Sequence, residues 1–121
     1  MKPTVMIVDD ALFIRTVLRG ILTDMGYQVI CLAESGLEAM RHLHDKHPEL
    51  VLLDIILPDA NGIDVLDSIR QNHPETKVII CSSIAHEATI QKALQHGAAG
   101  YLQKPFTKES VQETLARFES A

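Results

Sequence analysis

Tryptophan is absent from this chain of 121 residues, and only 4% of its residues are aromatic. A base-stacking platform is thereby excluded, because such surfaces interleave aromatic side chains with basic ones. Basic clusters are lacking too. Lys and Arg occur singly, eleven in all against sixteen Asp and Glu, giving a formal charge of -5. That field repels a polyphosphate backbone, so no direct nucleic-acid contact is expected. No run approaches the ~20 apolar residues of a membrane span. The opening MKPTVMIVDD holds an apolar stretch too short for a secretory signal and closed by two carboxylates. The expectation is a cytoplasmic protein without membrane contact. Cysteine is scarce: Cys31 and Cys81 lie in apolar, strand-like stretches, which favours two buried thiols over a disulfide or redox pair.

What is present is ordinary globular material, 46% hydrophobic and 22% charged, in a length that suits one core and therefore one domain over residues 1–121. Thr4 to Val8 is a short β-branched run. From Ala11 onward, Ile14, Val17, Leu18, Ile21 and Leu22 recur at helical spacing until Gly26 offers a stop. The alternation then repeats. Strands are predicted at Gln28–Ala33, Leu50–Asp54, Lys77–Ser82 and Gly100–Gln103. Helices are predicted at Gly36–His47, Asn61–Asn72, Ala88–His96 and Lys108–Phe118. Gly26, Pro48, Pro58, Pro74, Gly97 and Pro105 fall between these elements and never inside an apolar run. Val51-Leu52-Leu53 and Val78-Ile79-Ile80 are apolar throughout rather than alternating, which requires helices on both faces of a parallel sheet. The expected architecture is a three-layer α/β fold of five strands and five helices, with its chemistry beyond the carboxyl ends of the strands.

Those ends carry Asp9 and Asp10 after the first strand, Asp54 at the third, Ser82 at the fourth and Lys104 just after the fifth. Any one of them has a bland reading, such as the N-cap of the next helix. Three carboxylates, a hydroxyl and an ammonium on one sheet edge have none. Two carboxylates ~4 Å apart repel by roughly 4 kcal/mol at an effective dielectric near 20, so the cluster calls for a divalent cation. Oxygen ligands suit Mg2+ rather than zinc or iron. His42, His44 and His47 have offsets that suit a solvated helix face, not a metal site. With Asp9 and Asp10 on the metal, Asp54 is the candidate nucleophile for phosphoryl transfer, and Lys104 and Ser82 are placed to grip phosphoryl oxygens.

Taken in order, Ile7-Val8-Asp9-Asp10, Leu53-Asp54-Ile55-Ile56-Leu57-Pro58 with Asn61-Gly62, Ile80-Cys81-Ser82-Ser83 and Lys104-Pro105-Phe106 resemble the CheY-like receiver domains of two-component response regulators over the whole chain. The resemblance implies a flavodoxin-like, doubly wound (βα)5 sheet of order 2-1-3-4-5. It implies phosphorylation of Asp54 by a sensor histidine kinase or phosphotransfer protein. Mg2+ would be held by Asp9, Asp10, Asp54 and the Ile56 backbone carbonyl, Ser82 and Lys104 would contact the phosphoryl group, and the Lys104–Pro105 peptide would be cis. Tyr101 matches the aromatic switch position, beside the competing reading of a Tyr packed on the fourth helix. Ile56 and Ile84 match positions that tune how long the acyl phosphate lasts, and their apolar side chains predict a long-lived form. Ser83 stands where relatives usually carry a small residue, often Ala; Ser82 is preferred as the switch hydroxyl for its spacing to Lys104.

The implied output is altered binding of a downstream effector protein or an attached output domain through the α4-β5-α5 face, as a monomer or a phosphorylation-dependent dimer. Asp10-Ala11-Leu12-Phe13-Ile14-Arg15 is closer to the stand-alone chemotaxis regulators; a receiver within a longer transcription regulator is the alternative. The chain is expected to be no enzyme beyond its own phosphorylation and slow dephosphorylation. A magnesium-dependent phosphohydrolase of the haloacid dehalogenase type is disfavoured, because Ile56 stands where such enzymes carry an acid-base Asp. A contact-only domain leaves the five site residues without a purpose.

Overall fold

The computed structural model of the chain describes residues 2–83 and 87–118. Five strands alternate with five helices: β1 (Thr4–Val8), α1 (Leu12–Asp24), β2 (Gln28–Ala33), α2 (Gly36–Lys46), β3 (Leu50–Asp54), α3 (Gly62–Asn72), β4 (Lys77–Ser82), α4 (Glu87–Gln95), β5 (Gly100–Gln103) and α5 (Lys108–Leu115). All pairings are parallel and the sheet order is β2-β1-β3-β4-β5. The strand ranges coincide with those read from the sequence. Helix ends move by a residue or so, as frayed termini do. The largest shift is at α5, which stops at Leu115 and tightens into a 3-10 turn over Ala116–Phe118.

Strand periodicity divides the core between the two faces. From β3, Val51 and Leu53 join Met6, Val8, Val78 and Ile80 against α2 and α3, where Leu43, Leu66 and Ile69 are fully buried. Leu50 and Leu52 join Val5, Ile7 and Ile79 against α1 and α5, where Leu18, Leu22, Val111 and Leu115 close the opposite layer. Each such Leu or Ile stabilises the fold by about 1.5–3 kcal/mol relative to exposure. The central strand β3 is buried at every residue. The edge strands are less covered than β3 and β4: β5 alternates between buried and exposed residues, and β2 is largely half-buried. Cys31, on edge strand β2, is accordingly half-buried rather than buried, whereas Cys81 in β4 is buried; both are free thiols.

The turns follow from local chemistry. Gly26 adopts a φ of 90° after α1, a conformation open to glycine at no steric cost, and Tyr27 donates back to the Leu22 carbonyl at 2.9 Å. His47 is not on the α2 face; it is the C-cap of that helix, with φ 52°. The Lys104–Pro105 peptide is cis. Among the described residues no helix is long and apolar enough to cross a membrane.

Candidate functional site

Parallel strands place the carboxyl ends of β1, β3, β4 and β5 on one edge. Val8 pairs with Leu53 and Asp54 pairs with Cys81, so the residues just after β1 and at the end of β3 come to the same level. Asp9, Asp10 and Asp54 each offer an oxygen within 4.8 Å of the others. Asp9 is 2% exposed and Asp54 7% exposed, while Asp10 is open to solvent. Lys104 reaches in from the end of β5. Its Nζ is 2.7 Å from Asp9 Oδ2 and 3.3 Å from Asp54 Oδ2.

The fourth strand is locked to this arrangement by a backbone bond, in which the Lys104 N–H donates to the Ser82 carbonyl at 2.7 Å. Ser82 is half-buried at the strand end and Ser83 is exposed. Ile84 lies outside the described residues. Ile56 donates its N–H to Asp54 Oδ1 at 3.3 Å and leaves its side chain 75% exposed.

The electrostatics follow from the geometry. Burial, and after it the negative charge of Asp9, pushes the Asp54 carboxyl above the ordinary carboxylate range, with Lys104 and the Ile56 N–H acting in the opposite sense. Burial works to lower the Lys104 ammonium, but its bonds and charge contacts with Asp9 and Asp54 hold it above the ordinary lysine value. Three carboxylates and one ammonium leave two negative charges, the deficit that one divalent cation fills. The donors are all oxygen, which fits a hard ion such as Mg2+ and not a thiolate or imidazole metal. Burial pushes the neighbouring Cys81 thiol up, further from a ligating thiolate.

Two contributors escaped the sequence reading. Arg15 donates from Nη1 to the Asp9 carbonyl at 2.7 Å, and its Nη2 lies 3.7 Å from Glu34 Oε2. It therefore braces the turn that carries the acidic pair. Asp59, in the loop after β3, accepts two N–H bonds from the start of α2. Arg15 is only six residues from Asp9 but the bond depends on how the turn between them folds, and Asp59 is more than twenty residues from its partners, so neither contact shows as a pattern in the sequence.

Tyr101 is 48% exposed on β5. An open groove of about 790 Å3 runs from Lys104 and Pro105 past Tyr101 to Leu94 and Ser110 on the α4-β5-α5 face. Among the α4 side chains only Ala93 is buried.

A five-stranded doubly wound parallel sheet with three carboxylates and a lysine at its carboxyl edge places the chain among α/β domains with an acidic, oxygen-donor site at the strand ends. The family model of the response regulator receiver domain matches residues 5–116, and the chain belongs to that family. The chemotaxis protein CheY of Listeria monocytogenes is 37% identical over 112 residues, spanning 93% of this chain and 94% of the relative. That of Thermotoga maritima is 38% identical over 115 residues, 95% of this chain and 96% of the relative. Among solved structures, the CheX-CheY-BeF3-Mg complex from Borrelia burgdorferi matches with a TM-score of 0.91 at 29% identity, over 97% of this chain and 90% of that one. NtrX from Brucella abortus matches with a TM-score of 0.91 at 32% identity, over 98% of this chain and 27% of the longer protein. The chain is thus a receiver domain homologous to CheY, and its class of function is phosphorylation-dependent signalling.

Proposed function

We propose that Asp54 accepts a phosphoryl group from a sensor histidine kinase or phosphotransfer protein, and that the modified chain acts as a chemotaxis-type regulator in the cytoplasm. The observation that carries this reading is the convergence of Asp9, Asp10 and Asp54 within 4.8 Å, with the Lys104 ammonium shared between two of them. In the transfer, the nitrogen–phosphorus bond of the donor breaks as an Asp54 oxygen bonds to phosphorus, giving a mixed anhydride on Asp54. Asp9, Asp10, Asp54 and the Ile56 carbonyl would hold Mg2+, which when bound supplies neutralising charge for the phosphoryl oxygens.

The chain's own residues do the rest. Asp54 is the nucleophile, and its place at the end of the buried central strand fixes its direction of attack. Lys104 is within reach of the oxygens that Asp54 gains, and Ser82 supplies a hydroxyl from the adjoining strand end. Phosphorylation takes Asp54 from one negative charge to about two, which draws Lys104 from Asp9 and Ser82 from its resting place. Movement of the β4 end loosens α4, and the groove past Tyr101 transmits the change to an effector protein or output domain. Ile56 shields the anhydride from water, so the chain takes part in its own slow dephosphorylation without being an enzyme for other substrates.

Incubation with acetyl phosphate and Mg2+ tests this. The expected result is a mass increase of one phosphoryl group that is lost in hydroxylamine and absent from Asp54→Ala. Persistence of the label in Asp54→Ala would overturn the assignment.

A further inference from the structure

The start of α2 leaves four N–H groups to be satisfied, as every helix does. One is satisfied locally: the Glu38 N–H donates to the Ser35 side chain at 3.1 Å, while the Ala39 N–H, donating to the Ser35 carbonyl at 3.0 Å, makes the first bond of the helix itself. Two more are satisfied from a distance. Gly36 donates to Asp59 Oδ1 at 2.8 Å and Leu37 to Asp59 Oδ2 at 3.0 Å. Both carboxylate oxygens of Asp59 are thus committed to the helix end, where its charge also meets the positive end of the helix dipole. These two bonds hold the Asp59 carboxyl below the ordinary carboxylate range.

Asp59 belongs to the β3–α3 loop, residues 55–61, which directly follows Asp54. The loop is tightly folded: Gly62 donates to the Ile55 carbonyl at 2.6 Å and Ile56 bridges to Asn61. A Cβ on Gly62 would lie 2.5 Å from the Ile55 Cα, so the loop closes onto glycine alone. Gly36 faces it from α2, with its missing Cβ position 3.3 Å from the Ala60 side chain. A close approach of helix end and loop is therefore built into both partners. Ile56, the residue that abuts Asp54 through its N–H, is carried on this loop.

We infer that Asp59 is a positioning residue of the phosphoacceptor site, fixing the β3–α3 loop to α2 so that Ile56 is held beside Asp54 in the place that Mg2+ binding requires. The inference deepens the function proposed above and rests on its metal assignment. The alternative is that Asp59 is a helix cap and nothing more. Ser35 provides the control, since its side chain caps the same helix by accepting from Glu38 within it.

The experiment compares Asp59→Ala, Asp59→Asn and Ser35→Ala with the parent, by amide hydrogen exchange without metal and by calorimetric titration with Mg2+. Both Ala variants are expected to speed exchange at Ala39, which reports the helix end. Only Asp59→Ala is expected to speed exchange at Gly62, by about tenfold, and to weaken Mg2+ binding by at least about threefold. Asp59→Asn, which keeps one acceptor oxygen, falls between parent and Asp59→Ala in both. Equal effects of Ser35→Ala and Asp59→Ala on Gly62, or no effect of either, would reduce Asp59 to a cap. If the parent itself binds no Mg2+, the metal assignment fails, while the Gly62 exchange still decides whether Asp59 places the loop.

Discussion

Lys104 stands closer to Asp9 than to Asp54, at 2.7 Å against 3.3 Å. The ammonium that the proposed switch needs at Asp54 is thus held mainly by a neighbour that is not the acceptor. In the proposed switch, the oxygens added to Asp54 would compete with Asp9 for Lys104. The site is at once the chemical centre and a tension between like charges.

The first prediction concerns pH. The folded Asp54 carboxyl holds its proton more tightly than the unfolded one. Its protonated form therefore stabilises the fold at low pH, and that contribution is lost as pH rises through the raised folded value. In metal-free protein, Asp54→Asn is expected to melt higher than the parent at pH 7 by about 2–8 °C, and the gap should close as pH falls toward the ordinary carboxylate range. Calorimetric scans across that range check this; a gap that widens on acidification counts against it.

Lys104→Met is expected to lower metal-free stability by about 1–3 kcal/mol, because two buried carboxylates lose their shared cation. Saturating Mg2+ should recover a larger increment in the variant than in the parent. Urea unfolding with and without the metal measures both.

Ile56→Asn replaces an apolar side chain that stands in solvent beside Asp54 with one that can orient water. Phosphorylated protein is expected to lose its label severalfold faster, as followed by loss of radioactivity after rapid removal of donor. An unchanged rate means that Ile56 does not shield the anhydride.

The chain has two tyrosines and no tryptophan. Tyr27 is buried at 3% exposure and Tyr101 is half exposed, so Tyr27→Phe leaves Tyr101 as the dominant fluorophore. Beryllofluoride with Mg2+ is expected to reduce acrylamide quenching of that emission as the ring turns inward. Identical quenching with and without the mimic disposes of Tyr101 as part of the switch.

Much of this protein was fixed locally. Continuous apolar runs at Leu50–Leu53 and Val78–Ile80 can be stable only as strands covered on both sides, and Gly and Pro between elements set where each ends. Every strand range followed, and so did the edge on which Asp9, Asp10, Asp54, Ser82 and Lys104 gather, because parallel strands all carry their carboxyl ends to one side. What the chain alone left open is whatever depends on distance between segments far apart in sequence. Which carboxylate holds Lys104, how far Cys31 is exposed on its edge strand, and that Arg15 meets Glu34 while Asp59 ties its loop to α2 were decided by tertiary packing. The reason is physical: periodicity fixes which face a side chain takes, whereas an ångström of separation between two charges is set by the assembled backbone and by nothing local.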